Sequence, residues 1–327
     1  MWGDDAGAVG NRVIDTVGLS CLGLMLNRFS DDARRSLHAP RRQQTLLAAA
    51  VVEGVGYWTG KDVRVEFRPA ACDSGITFVR SDLARPLRIR ATVANRVEAP
   101  RRTTLRSGGA SVEMVEHIMA ALGGLGVDNC EVWVNAAEMP GLDGSSLPYV
   151  DALTSAGIVE QQSVRPRLVV REITRLGNEE AWVEARPAVS DGLTLKFHLD
   201  YGSGNAIGRQ TLSLPVTPDS FRRELAPSRT FMLKAEAEWL LAQGLCRRTS
   251  SKDLLVFDAE GPIDNELRFH DECVRHKALD LVGDLSLAGC DLVAHVIAYR
   301  SGHRLNAELV RVLLTEGDMV GGYKRSA

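Results

Sequence analysis

The sequence predicts an α+β fold in two domains, and three observations support this prediction. The chain has 327 residues, which is more than one compact domain usually contains. Segments with strand and helix periodicity are mixed without the regular alternation that builds a parallel α/β sheet. A polar stretch with a proline, residues 161–166, separates two parts that each hold several strands and a long helix.

The predicted strands alternate apolar and polar residues with a period of two, as half-buried strands do. This pattern occurs in residues 63–67, 130–134 and 182–185. A mostly apolar run at residues 292–299 also predicts a strand. The helical periodicity predicts helices at residues 112–125, 151–157, 221–225, 235–244 and 271–288.

We expect a first domain at residues 45–162, a second at 167–315 and a tail at 316–327. Residues 1–44 differ from the rest because acidic and basic clusters flank a short apolar run. They predict a leader outside the main fold, either a helix with a tail or the product of a start codon assigned too early. The apolar run, at residues 17–26, is too short to span a bilayer, so we expect no membrane anchor.

The composition excludes several classes of protein. Apolar residues make up 45% and charged residues 25%, which is ordinary for a globular protein and unlike a disordered or fibrous chain. The formal charge is −3, whereas nucleic-acid-binding domains are usually basic, so no nucleic-acid partner is expected. Six cysteines without a C-x-x-C pair predict reduced thiols and a cytoplasmic protein.

The helix predicted at residues 271–288 carries an unusual polar stripe. Asp271 is a candidate N-cap, and five apolar residues form the predicted core stripe: Val274, Ala278, Leu281, Val282 and Leu285. His276, Asp280 and Asp284 follow one another at intervals of four, about 140° from that stripe. They form either a solvated face with a His–Asp pair or, since residues one turn apart converge, part of a metal site.

The helix predicted at residues 112–125 offers a further ligand. Its core stripe leaves His117 on the far side, next to Glu116. His117 is either a surface histidine or the third ligand of a His, His, Asp zinc site with an open position for water. Glu116 would then be the base for that water, although the H-E-x-x-H motif is absent. From spacing alone, a zinc hydrolase is one possibility.

Among the remaining histidines, one is a candidate for a functional role and the others are not. His303 follows Ser301 and Gly302 in a predicted loop, where it is either a turn residue or a protonated acid paired with a carboxylate. We predict that the others are packed, surface or leader residues: His198, His295, His270 and His38.

These motifs together resemble the UDP-3-O-acyl-N-acetylglucosamine deacetylases, the zinc enzymes of lipid A biosynthesis. Similarity extends over about residues 45–312, in the order of that family. It is carried by VEHI (115–118) with ALGGLGVDN (121–129), LDGS (142–145), SRTF (228–231), and RHKALDLVGDL (275–285) with SGHRLN (301–306).

The resemblance implies a role for each matching residue. The implied zinc ligands are His117, His276 and Asp280, with water in the fourth position. Glu116 is implied to be the general base, and His303, oriented by Asp284, the cation that stabilises the oxyanion and protonates the leaving amine. The implied substrate-facing residues are Thr230 at the oxyanion, Phe231 in the wall and Lys277 at the phosphate, with Tyr57 and Trp239 as further contacts. This chemistry suits an amide, because zinc polarises the carbonyl and lowers the pKa of water to about 7.

The resemblance also implies the architecture: two domains, each a small sheet layered on a helix pair, with the helix layers facing each other around the metal. Residues 232–257 match an inserted βαβ unit that lines the acyl-chain passage, where Trp239, Leu240 and Leu241 are consecutive. The chain departs from the family at Trp58, which replaces a histidine, and at residues 247–253, which replace a Gly-Ser-x-Asp stretch.

We therefore predict a zinc-dependent hydrolase that releases acetate from UDP-3-O-acyl-N-acetylglucosamine, with Zn²⁺ as its cofactor. Two alternatives remain at this point: a zinc deacetylase for another acylated or nucleotide sugar, and a non-catalytic protein that binds the sugar nucleotide. The expected partner is a small molecule, and the protein is expected to be a cytoplasmic monomer that works near the inner membrane.

Overall fold

The computed structural model describes residues 41–188 and 190–320. The predicted leader up to residue 40, with His38, and the last seven residues lie outside this part. The described residues form several small sheets with helices packed on them, in agreement with the predicted α+β class. No helix within them is both long and apolar enough to cross a membrane.

Nineteen strands occur in the described part of the chain. The first ten are β1 Arg42–Leu46, β2 Ala50–Val55, β3 Asp62–Pro69, β4 Ile76–Arg80, β5 Leu87–Arg90, β6 Arg96–Val97, β7 Thr104–Ser107, β8 Ala110–Glu113, β9 Cys130–Val134 and β10 Ile158–Val164. The others are β11 Arg167–Val169, β12 Thr174–Gly177, β13 Trp182–Arg186, β14 Leu193–Asp200, β15 Arg209–Val216, β16 Phe231–Leu233, β17 Leu255–Phe257, β18 Asp291–Tyr299 and β19 Asp318–Val320.

The longer helices among the described residues are α1 Glu116–Leu125, α2 Leu147–Ala156, α3 Lys234–Ala242, α4 Glu272–Leu285 and α5 His303–Glu316. Short helical segments occupy Val93–Asn95, Pro218–Ser220, Phe221–Leu225 and Ser286–Ala288.

The first sheet has the strand order β2-β3-β9-β4-β5, and a separate three-stranded sheet has the order β6-β7-β8. In β3 the buried residues alternate with more exposed ones, because Val63, Val65 and Phe67 face the core. The predicted strand at 130–134 is β9, which pairs antiparallel with β3 and parallel with β4. One face of this sheet therefore supplies core side chains.

The second sheet has seven strands around β18, which pairs with β13, β11 and β14. Leu292 to Val296 of β18 are mostly buried, as is typical of a central strand that is covered on both faces. Two smaller pairings complete the fold: β1 with β10, and β16 parallel to β17 with α3 between them. The last pairing is a βαβ unit that spans residues 231–257.

Helices α1 and α4 pack directly against each other. Gly283 of α4 lies against the backbone of Glu116, since a Cβ built there would come within 2.2 Å of the Glu116 carbonyl oxygen. A side chain at residue 283 would therefore force the two helices apart. This close approach brings the first turn of α1 beside His276, Asp280 and Asp284.

Several boundaries differ from the predicted ones. Helix α2 begins at Leu147 instead of residue 151, and residues 42–44 of the predicted leader belong to β1. Helix α1 begins at Glu116 instead of residue 112, because the preceding residues form β8 and Met114 has a φ of 58°, outside the helical region. His303 was predicted to lie in a loop, but it is the first residue of α5. The sequence analysis did not recognise the apolar face of this helix. In the predicted tail, β19 pairs with β11.

Candidate metal centre and active site

Two helices bring three ligand-type side chains together. His276 and Asp280 lie one turn apart on α4, and His117 is the second residue of α1. One ligand atom from each lies within 4.8 Å of the others. Asp280 Oδ1 is 3.4 Å from His276 Nε2 and 3.7 Å from His117 Nε2. All three side chains are buried, unlike the solvated face that the helical pattern allowed.

Neighbouring groups orient these side chains toward one point. His276 Nδ1 lies 3.1 Å from the Ser228 carbonyl oxygen, which can only accept, so Nδ1 carries the proton and the Nε2 lone pair faces Asp280. Lys277 Nζ donates to Asp280 Oδ2 at 2.7 Å and leaves Oδ1 directed at both imidazoles. Such a second layer of contacts is typical of metal ligands.

The charge states of the cluster suit a cation. Burial, together with the neighbouring His276, lowers the pKa of His117 to about 3, and burial also lowers the pKa of His276. Both imidazoles are therefore neutral and keep a lone pair. Burial opposes ionisation of Asp280, but the positive charges of Lys277 and His303 keep its pKa below the usual value. Two neutral imidazoles and one carboxylate are a donor set that zinc accepts.

Glu116 lies directly beside this cluster. Burial raises the pKa of its carboxyl group to about 7, and Oε2 accepts a hydrogen bond from the Thr103 backbone N–H at 2.9 Å. Oε1 lies 4.0 Å from His303 Nε2. A buried carboxylate with a pKa near neutrality can accept and release a proton.

His303 lies across the site from Glu116 and is held by Asp284. Its Nδ1 donates to Asp284 Oδ2 at 2.8 Å. Burial acts to lower the pKa of His303, but the charge of Asp284 and this hydrogen bond raise it to about 9. The imidazole is therefore cationic near neutral pH and can serve as an acid.

These groups open into a cavity of about 1130 Å³. Besides Glu116, His303 and the ligand cluster, four of the predicted substrate-facing residues line it: Tyr57, Thr230, Phe231 and Lys277. The Phe231 ring packs edge-to-face on His276, with 6.2 Å between ring centroids. Asp284 is 1% exposed and lies behind His303.

Trp239, the fifth predicted substrate-facing residue, does not line the cavity. It is 58% exposed and is not a lining residue, whereas its neighbour Leu240 is 1% exposed and lines the cavity. The side chain that faces inward from α3 is therefore Leu240. Trp58 lines the cavity, where its backbone N–H donates to Glu138 and the Arg102 guanidinium lies 4.7 Å from its ring centroid.

The sequence did not point to three residues that support the site. Ser228 orients His276 through a backbone carbonyl group, so its side-chain type carries no signal. Asn306 Nδ2 donates to Asp284 Oδ2 at 2.9 Å, and the SGHRLN segment contains this residue without indicating its role. Thr103 contacts both Glu116 and Asp284 from a segment outside the matched motifs.

Buried histidine and carboxylate ligands beside a carboxylate and a cationic imidazole define a metalloenzyme-type site. The UDP-3-O-acyl N-acetylglycosamine deacetylase family model matches residues 43–315. The chain belongs to this family, and the resemblance predicted from the sequence is confirmed.

Relatives in several bacteria carry the name UDP-3-O-acyl-N-acetylglucosamine deacetylase. The chain is 38% identical to that of Syntrophus aciditrophicus over 275 residues, which cover 84% of this chain and 86% of the relative. It is 39% identical to that of Thermosynechococcus vestitus, with 83% and 93% covered. It is 40% identical to that of Citrifermentans bemidjiense, with 84% and 90% covered. The similarity therefore extends over nearly the whole described part of the chain.

Proposed function

We propose that the protein is a zinc-dependent amide hydrolase that removes the N-acetyl group from UDP-3-O-acyl-N-acetylglucosamine in lipid A biosynthesis. The products are acetate and UDP-3-O-acyl-glucosamine. The observation that carries this proposal is the convergence of His117, His276 and Asp280 beside a separate base and acid, in a chain of the matching family. Glu116 is the proposed base and His303 the proposed acid.

Zinc fits the three residues proposed to hold it. Both imidazoles are neutral, and Asp280 Oδ1 faces both of them. The hydrogen bonds with Ser228 and Lys277 use His276 Nδ1 and Asp280 Oδ2, so they leave the lone pairs of His276 Nε2 and Asp280 Oδ1 unused. Within the described residues, three electron-rich atoms thus face one another without a hydrogen-bond donor between them. When bound, zinc polarises the amide carbonyl and makes water acidic near neutral pH.

Glu116 and His303 divide the proton transfers. Glu116 takes a proton from the attacking water as the water oxygen bonds to the acetyl carbon. The C–N bond then breaks, acetate leaves, and His303 gives its proton to the sugar nitrogen. The amine would be a poor leaving group without that proton, so the acid must be distinct from the base. Burial of Glu116 and the Asp284 contact of His303 support this assignment.

The cavity supports the proposed substrate contacts. We assign the Thr230 hydroxyl to donate a hydrogen bond to the developing oxyanion, and Phe231 to form the wall beside the metal. Lys277, which lines the cavity and is anchored on Asp280, is assigned to the phosphate of the nucleotide. Tyr57, which lines the cavity, is assigned to the acyl side together with the insert. Trp239 lies on the exposed side of α3 and is assigned no contact with substrate inside the cavity.

We further propose that the fold comprises two layered domains with their helix layers facing each other at the metal. The separate sheets of residues 50–134 and 167–320 support this division, as does the direct packing of α1 on α4. The ligands would then come from both domains, with His117 from one and His276 with Asp280 from the other.

We propose that the reaction takes place in the cytoplasm, with the protein acting as a monomer close to the inner membrane because its substrate carries an acyl chain. The described cysteines are all free, as expected in a reducing compartment. One chain supplies every proposed catalytic group, which supports activity without a partner subunit.

Acetate release and zinc content, measured together, test the proposal. Wild-type protein should hold one zinc and release acetate from the acylated UDP-sugar, and Glu116→Ala should keep zinc and lose turnover. Zinc without any turnover in the wild type would instead indicate a binding protein. Preference for an unacylated sugar would indicate a deacetylase with another substrate.

A further inference from the structure

Thr103 contacts both the proposed base, Glu116, and Asp284, the carboxylate that holds the proposed acid. It immediately precedes β7, is 1% exposed, and uses each of its polar groups. Its carbonyl oxygen accepts from the Val115 N–H at 3.3 Å, and its own N–H donates to Glu116 Oε2 at 2.9 Å. Its hydroxyl donates to Asp284 Oδ1 at 2.6 Å. One residue therefore contacts a carboxylate on α1 and another on α4.

The hydroxyl contact controls the orientation of Asp284. Oδ2 of this carboxylate accepts from His303 Nδ1 at 2.8 Å and from Asn306 Nδ2 at 2.9 Å. Oδ1, on the opposite side, accepts from the Thr103 hydroxyl. Rotation of a carboxylate about its last torsion is soft, so a donor on each oxygen is needed to fix its plane. A short O–H···O⁻ bond is a strong one.

We propose that Thr103 is a positioning residue for catalysis: its hydroxyl fixes Asp284 and thereby aims His303, while its backbone N–H holds Glu116. The proposal rests on the proposed function, in which these two groups transfer the protons. Thr103 is not among the residues that line the cavity, so it acts through its neighbours and does not touch substrate.

The neighbouring residue offers a matched control. Thr104 is also buried, at 4% exposed, but its hydroxyl makes no hydrogen bond within residues 41–188 and 190–320. Thr103→Val and Thr104→Val exchange the same hydroxyl for a methyl group at adjacent buried positions. Only Thr103→Val removes a hydrogen bond, the one to Asp284, which holds the proposed acid His303.

The steady-state test compares Thr103→Val, Thr103→Ser and Thr104→Val with wild type. Thr103→Val should lower kcat about tenfold to a hundredfold, the range expected for a lost hydrogen bond to a charged group. Its KM and zinc content should stay at the wild-type values, because neither substrate nor metal ligands are touched. Thr103→Ser should restore most of kcat, and Thr104→Val should match wild type. The proposal is overturned if Thr103→Val behaves like Thr104→Val, or if Thr103→Ser is no better than Thr103→Val.

Proton NMR gives a readout that does not require turnover. The His303 Nδ1 proton, hydrogen-bonded to a buried carboxylate, should give a far-downfield resonance that disappears in His303→Ala. It should move in Thr103→Val and stay in place in Thr103→Ser and Thr104→Val. An unmoved resonance in Thr103→Val contradicts the proposal even if the wild type has another substrate.

Should Thr103→Val fail to fold, Thr103→Ala and Thr103→Ser replace it as the critical pair. Both remove the methyl group, and only the serine variant retains the hydroxyl. A higher kcat for the serine variant, at equal KM, supports positioning by the hydroxyl, and equal kcat values overturn it. Loss of acetate release in the wild type itself would instead contradict the proposed function.

Discussion

The two ends of the α1–α4 helix pair both bury charged groups, but they use them differently. At the end near Gly126, Arg41 donates to Asp128 at 2.7 Å and to Asp291 at 2.9 Å, and Arg165 lies 3.0 Å from Asp128. Each carboxylate there faces a guanidinium. At the other end, Asp280 Oδ1 faces two imidazole nitrogens at 3.4 and 3.7 Å and forms no hydrogen bond with either.

This difference distinguishes a cluster of paired charges from the proposed metal site. Paired charges satisfy one another and hold elements together without needing a ligand. Acceptor atoms that converge without a hydrogen-bond donor repel one another, and this repulsion is relieved only when a cation binds between them. The arrangement therefore favours metal binding and lowers the stability of the metal-free protein. Burial of charge alone therefore does not identify the active site; the unmatched acceptors do.

Removing a proposed metal ligand should have the largest effect. His117→Ala should lose both zinc and activity, because one imidazole and one carboxylate remain to hold the ion. Metal analysis and acetate release on the same sample check this. His270→Ala is the control, since His270 precedes α4 with a side chain that is 92% exposed. Full zinc occupancy in His117→Ala would refute its assignment as a ligand.

Removing the proposed acid should have the second-largest effect. His303→Ala should keep zinc but lower kcat by roughly 10²–10⁴, the usual contribution of an acid–base group. The comparison variant is His198→Ala, because His198 lies on β14 and contacts Thr211, outside the site. Unchanged kinetics in His303→Ala would remove this residue from the mechanism.

The opposite end of the helices should respond in stability and not in catalysis. Asp128→Asn should lower the free energy of unfolding by about 1–3 kcal/mol, less than for a fully buried pair because Arg41 is partly exposed. Urea unfolding measures this, and Asp151→Asn, at an exposed position of α2, should change it by less than about 0.5 kcal/mol. A large loss of kcat in an Asp128→Asn protein that is fully folded would contradict a purely structural role for this end of the helices.

The smallest effect separates neighbouring residues of the insert. Leu240→Ala should raise KM for an acylated substrate by up to about tenfold, since a buried apolar side chain that lines the cavity is lost. Trp239→Ala should change KM by less than about twofold because Trp239 is largely exposed. The reverse order of effects would show that the acyl chain lies along the outer surface of α3.

The sequence allowed the proximity of the proposed ligand residues to be predicted in part. The interval of four residues between His276 and Asp280 places them together on any helix, whatever surrounds it. Strands such as 130–134 were predicted because alternation depends only on having one buried face. The motifs then connected His117 and His303 to these residues across long stretches of chain.

Other features depend on tertiary contacts that one segment cannot reveal. The polar stripe of α4 suggested solvent exposure, but α1 covers that side through the gap left by Gly283, and Asp280 is 4% exposed. Thr103 acts through a backbone N–H and a hydroxyl, groups that many buried threonines possess. Trp239 and Leu240 look equivalent in sequence, and only the orientation of α3 distinguishes them.

X-ray absorption at the zinc edge, on protein loaded with one equivalent of the metal, tests the central claim most directly. The account predicts only nitrogen and oxygen neighbours at roughly 2.0–2.1 Å, with the outer-shell scattering of two imidazoles. A sulfur neighbour, or a spectrum with no imidazole contribution, would place the metal elsewhere and contradict the account.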